Sequence, residues 1–163
     1  MIQSMTTYVL FTTGACNLNC DYCGGSIDPK LVPWDVKYSI KELEDFIGEE
    51  NPVIAFYGGE PLMNYRFIEE VIDSFEGARF VIQTNGTLIH KLSPDEWKKF
   101  NTILISIDGR ENVTDLHRGS GSYESALRAA IYLKRWGFSG DLVARMTVTQ
   151  DTDIYVDLSL IHI

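Results

Sequence analysis

Five short apolar, largely β-branched runs alternate with helical patterns along this 163-residue chain, and no tight hairpin signal joins any two of them. Alternation of that kind dictates parallel strands connected by right-handed helical crossovers, hence an α/β fold. The strands are expected at residues 8–13, 52–59, 78–83, 102–107 and 142–149. Between them, Ser39 with Glu42 forms a capping box ahead of an apolar face made by Leu43, Phe46 and Ile47. Asn64 is expected to cap a second helix carrying Phe67, Ile68, Val71, Ile72 and Phe75 at helical spacing, with Gly77 as its stop. Ser93, Pro94 and Glu96 signal a third helix start. Ser122 opens the longest helix, which ends near Gly137 and turns Tyr123, Ala126, Leu127, Ala130, Ile131 and Leu133 inward. Residues 26–38 carry two prolines and no clean period, and read as loop.

All three cysteines, Cys16, Cys20 and Cys23, fall where the first strand ends, spaced C-x3-C-x2-C and followed by Gly24-Gly25. Three thiolates on so short a loop can converge on one metal centre. They fall one short of the four protein ligands of a structural zinc site. Three cysteines can instead hold three irons of a [4Fe–4S] cluster and leave the fourth open, whereas an electron-carrying cluster takes four. The alternatives are a zinc site borrowing a distant histidine and three unrelated core cysteines. The histidines are His90, His117 and His162, none at finger-like spacing from the cysteines.

The other unusual polar residues recur at the expected strand ends. The second strand runs into Gly58-Gly59-Glu60-Pro61, the third into Thr84-Asn85-Gly86, the fourth into Ser106-Ile107-Asp108-Gly109, and the fifth carries Arg145 among apolar neighbours. Each alone is ordinary turn chemistry. In a parallel barrel all would share the C-terminal rim, where ligands bind. A charge such as Arg145 on a buried strand would need a partner.

The cysteine loop, with the aromatic Tyr22 just before Cys23, resembles the cluster loop of the radical S-adenosylmethionine (SAM) enzymes. That resemblance spans about residues 5–150 and implies a partial (β/α)6 TIM-like barrel. It implies a [4Fe–4S] cluster on Cys16, Cys20 and Cys23, with SAM chelating the open iron and cleaved reductively to a 5′-deoxyadenosyl radical. By the same resemblance the Gly58-Gly59-Glu60-Pro61 turn receives the SAM amino group. Ser106 and Asp108 meet the ribose and methionyl end, Arg145 meets the carboxylate, and Tyr22 lies along the adenine. Thr84 and Asn85 are pocket residues. Residues 106–109, 113–119 and 121–123 are similar to the peptide- and protein-maturing branch, although Thr114-Asp115 stands where that branch often has His-Asp. A peptide or protein substrate, and an electron donor such as ferredoxin or flavodoxin, are therefore expected. A glycyl-radical-enzyme activase is the nearest enzymatic alternative, and a non-catalytic zinc or iron–sulfur module the alternative of another class.

A net charge of −9 argues against a nucleic-acid backbone or an anionic membrane surface as the main partner. No apolar run is long enough to span a bilayer, and the start lacks the features of a signal peptide. Three clustered thiols fit a reducing cytoplasm. The last six residues, 158–163 (LSLIHI), match the in-frame translation of a transposon-derived sequencing adapter, CTG TCT CTT ATA CAC ATC. The expectation is an incomplete core over residues 1–157, truncated after about the fifth strand, with a non-native tail.

Overall fold

The computed structural model describes residues 6–48 and 51–161. Strands β1 (Thr7–Thr13), β2 (Val53–Gly58), β3 (Arg79–Thr84), β4 (Phe100–Ser106) and β5 (Asp141–Arg145) form one sheet in sequence order. Every neighbouring pair is parallel. Helices α1 (Ile40–Ile47), α2 (Tyr65–Ser74), α3 (Pro94–Trp97), α4 (Glu111–Arg118), α5 (Ser122–Arg135) and α6 (Ile154–Ile161) occupy the connections and the segment after β5. Short 3-10 turns at Pro61–Asn64 and Ile89–Lys91 complete the elements. The architecture is α/β, five strands of a TIM-like barrel.

The period-two alternation of the strands sends Leu10, Ile54, Phe56, Phe80, Ile82, Ile103 and Ile105 to one face. There they join Leu43 and Ile47 of α1, Ile68 and Val71 of α2, and Ala126, Ala129 and Leu133 of α5 in one core. Phe56, Phe80 and Phe100 contact one another ring to ring within it. The other face, represented by Val9, Phe11, Tyr57 and Val143, is exposed.

The capping boxes at Ser39–Glu42 and Ser93–Glu96 form as the sequence indicates. Other local expectations give way to tertiary contacts. Asn64 precedes α2 without capping it; its side-chain amide donates to the Thr12 carbonyl instead. That helix stops at Ser74, and Gly77 lies in the following turn at φ +82°. Ser122 is the first residue of α5 rather than its cap, and its hydroxyl donates to the Arg118 carbonyl. The Asp115 carboxylate on α4 accepts from the Gly121 and Tyr123 amides in its place. The inward stripe of α5 is Ala126, Ala129 and Leu133, while Leu127 and Ile131 face outward, Ile131 at 62% exposure. The cause is close approach: a Cβ on Gly86 would sit 3.1 Å from the Ala129 Cβ, so small residues must meet there. β5 ends at Arg145, four residues earlier than its apolar run, because residues 147–149 hydrogen-bond to Asp108 and His117. α4 and α6 have no counterpart in the strand-and-helix reading of the sequence.

Candidate SAM and cluster site

A cavity of about 320 Å³ opens at the C-terminal ends of the strands. Cys16, Cys20 and Cys23 line it together with Tyr22, Gly58, Gly59, Glu60, Thr84, Asn85, Ser106 and Arg145. Its size is in the range of small-ligand pockets. Parallel β-strands all deliver their C-terminal ends to one rim, which is why residues far apart in sequence meet there.

The cysteine loop is held at several points. Cys16 exchanges hydrogen bonds with the Ser26 hydroxyl, the Cys23 and Gly24 amides donate to the Cys20 carbonyl, and the Asn17 side-chain oxygen accepts from the Asn85 amide group at 2.9 Å. Gly58 and Gly59 have a role the sequence reading did not assign. A Cβ on Gly58, at φ +139°, would lie 2.1 Å from the Thr13 carbonyl oxygen, and one on Gly59 2.2 Å from that of Ala15. The glycines therefore admit the backbone leaving β1, and the Gly59 and Glu60 amides donate to Thr13 and Ala15. This contact carries the first cysteine to the rim.

Glu60 is 1% exposed. Its carboxylate accepts from the Leu62 amide, the Thr84 hydroxyl and the Asn85 amide at 3.1, 2.8 and 2.7 Å. Burial pushes its pKa up to about 7 against these donors. It thus ties the end of β2 to the end of β3, fixing Thr84 and Asn85.

Asp108 is fully buried and does not line the cavity. Its two oxygens accept from Arg118 Nε and Nη2 at 2.7 and 2.8 Å, from the Tyr22 hydroxyl at 2.9 Å and from the Thr147 amide at 2.9 Å. A carboxylate so engaged has its accepting positions already filled. Arg118, to which the sequence assigns no role, lines the cavity instead. Arg145 is exposed at the end of an edge strand, so the expected burial of that charge does not occur. Its guanidinium donates only to the neighbouring Met146 carbonyl among the described contacts and faces the cavity, a cation positioned for an anionic ligand.

The donor set, three thiols on one short loop, suits an iron–sulfur cluster. All three thiols border one cavity. A cluster spreads its irons over several ångströms and takes one thiolate at each of three corners. Cys20 is buried and its pKa is pushed up to about 11, mainly by burial, with the Arg118 charge opposing and the neighbouring thiols adding to the rise. Iron would deprotonate such thiols on binding.

Residues 10–157 match the Radical SAM superfamily, and the chain belongs to it. It is 32% identical over 150 residues to the AdoMet-dependent heme synthase of Nitratidesulfovibrio vulgaris, covering 85% of this chain and 39% of that one. It is 31% identical over 157 residues to the mycofactocin maturase MftC of Mycolicibacterium smegmatis, covering 86% and 37%. Its fold is similar to that of anSMEcpe with bound AdoMet and a Kp18Cys peptide, at TM-score 0.77 and 20% identity over 96% of this chain and 48% of the other. The chain spans about half or less of the length of the curated relatives it matches. Among the described residues no helix is long and apolar enough to cross a membrane.

Proposed function

We propose that this chain is the cofactor-binding core of an enzyme that uses SAM radical chemistry to modify a peptide or protein. The observation that carries the reading is the convergence of three thiols, the Gly58-Gly59-Glu60 turn, Ser106 and Arg145 on one cavity. Cys16, Cys20 and Cys23 would hold a [4Fe–4S] cluster, which when bound supplies the electron that cleaves SAM. Arg145 offers a fork of donors to the SAM carboxylate. Gly58 and Gly59 line the same cavity, and backbone carbonyls of that turn would accept from its ammonium. Ser106, buried at the rim, and the ring of Tyr22 bound the remaining space. Asp108 acts on the cavity through Tyr22 and Arg118, not by direct contact. No acid–base residue of the chain is needed for the cleavage itself.

The peptide assignment is supported by the maturase relative and by the peptide bound in the anSMEcpe structure. A tetrapyrrole is the second reading, supported by the heme synthase relative. An electron donor such as ferredoxin or flavodoxin and a reducing, cytoplasmic setting follow from the same chemistry. Anaerobic reconstitution tests the core claim. The chain should take up about four irons and, after reduction, form 5′-deoxyadenosine from SAM; Cys→Ala changes at 16, 20 or 23 should abolish both. Stoichiometric zinc with no cleavage would sink the reading. Stimulation of SAM cleavage by a peptide and not by a porphyrin would decide the substrate class.

A further inference from the structure

Asp21 and Tyr22, the two residues between the second and third cysteines, are both gripped by α4. The Asp21 amide donates to the His117 carbonyl at 3.1 Å, and its carboxylate lies 2.9 Å from His117 Nδ1. His117 is buried, and its other ring nitrogen lies 2.9 Å from the Thr149 hydroxyl and 3.3 Å from an Asp151 carboxylate oxygen. The next residue, Arg118, pairs with Asp108 through two hydrogen bonds, and its guanidinium sits 5.5 Å from the centre of the Tyr22 ring. The Tyr22 hydroxyl closes this circuit on Asp108. Adjacent residues of a helix thus hold adjacent residues of the cysteine loop, one through each side chain. His117 reaches the segment after β5 through Thr149 and Asp151, and Asp108, the partner of Arg118, reaches it through the Thr147 amide.

We propose that His117 and Arg118 are positioning residues that clamp the Cys20–Cys23 turn against the ends of β4 and β5, setting where the cysteine-held group sits relative to the cavity. Two features separate a clamp from ordinary packing. The grips fall on the two residues between Cys20 and Cys23, whose orientation a side-chain thiolate inherits directly. They are also geometrically specific: the bidentate Arg118–Asp108 pair, on which the Tyr22 hydroxyl closes, admits one arrangement, where apolar contacts would admit several. Arg118 further brings a buried cation to the wall beside Cys20. Replacing it with Lys keeps the charge and removes the fork.

The inference rests on the cluster reading, and the test keeps the two apart. Amide hydrogen exchange is measured on the apo chain for wild type, Tyr22→Phe, His117→Gln and Arg118→Lys. Loss of a grip should speed exchange of residues 18–25 about tenfold, the effect of a buried hydrogen bond, with β2 and β3 unchanged. The reconstituted, reduced proteins are then compared by electron paramagnetic resonance, where Tyr22→Phe and Arg118→Lys should shift the g-values. Wild-type exchange in the loop of the folded variants would overturn the clamp. So would faster exchange with unaltered g-values, which would reduce it to a fold contact. Should Arg118→Lys fail to fold, Tyr22→Phe decides alone, since it deletes one hydroxyl. Failure of the wild-type chain to take up iron would count against the proposed function, while the apo exchange still decides the clamp.

Discussion

All three hydrogen-bond partners of Glu60 are donors, so its site is shaped for a carboxylate, although burial favours the protonated acid. The folded pKa of about 7 lies above the ordinary 4.5. Folding therefore favours the bound proton, and this contribution is complete below pH 4.5 and lost as pH rises through 7. The expected outcome is a wild-type stability that declines between pH 5 and 7.5, while Glu60→Gln, which cannot ionise, shows a flatter dependence. The amide of Gln must turn a donor toward a donor, so the variant should also lose about 1–3 kcal/mol. Urea unfolding of the apo protein across this pH range checks both. Glu60 was legible as a turn residue because Gly-Gly-Glu-Pro is contiguous. Its bridge to Thr84 and Asn85, about 25 residues on, was not, because only the β2–β3 pairing brings those backbones together.

Among the elements, α4 and α6 carry the information that strand-and-helix patterning missed. α4 has few apolar residues and is held by side-chain hydrogen bonds: the Thr114 hydroxyl accepts from the Asp108 amide, and Asp115 caps α5. A helix stabilised by polar contacts leaves no apolar stripe to detect. α6 is anchored by Asp157, whose carboxylate accepts from the Arg110 amide and guanidinium and from the Asp153 amide. The Arg110 hydrogen bond, more than any other contact, holds the Asp157 carboxyl down at about pKa 2. A depressed carboxylate stabilises above its ordinary pKa of 3.8 and ceases to do so as pH falls toward 2. Asp157→Asn should therefore release the first turn of α6 at neutral pH, and acid should release it in the wild type. Hydrogen-exchange protection of residues 153–157, corrected for intrinsic rate, measures it; retained protection in the variant would contradict the anchor.

At the scale of the whole molecule, the sheet is covered on one face and open on the other. Parallel register places Val9 beside Ala55, Phe11 beside Tyr57 and Leu104 beside Val143 on that open face. Val9 is 55% and Val143 40% exposed. Among the described residues β1 and β5 stand at the two edges of the sheet. An exposed apolar face of this kind promotes association. The isolated chain should self-associate with rising concentration, and Val9→Lys with Val143→Lys should suppress this without lowering the melting temperature, since neither side chain is in the core. Sedimentation velocity would show it, and a monomer at all concentrations would refute it. The strand–helix alternation by itself determined that the strands run parallel, and parallelism in turn determined that the cysteine loop, the Gly58-Gly59 turn, Ser106 and Arg145 reach one rim, because each strand end is fixed by chain direction. Spacing likewise determined that three thiols lie on one short loop. Only the tertiary structure decided that Asp108 faces Arg118 instead of the cavity, that Arg145 is exposed, and that α4 grips the cysteine loop. Those outcomes depend on which side chains arrive at a shared point from distant segments, and hydrogen-bond partners and burial exist only once the segments have met.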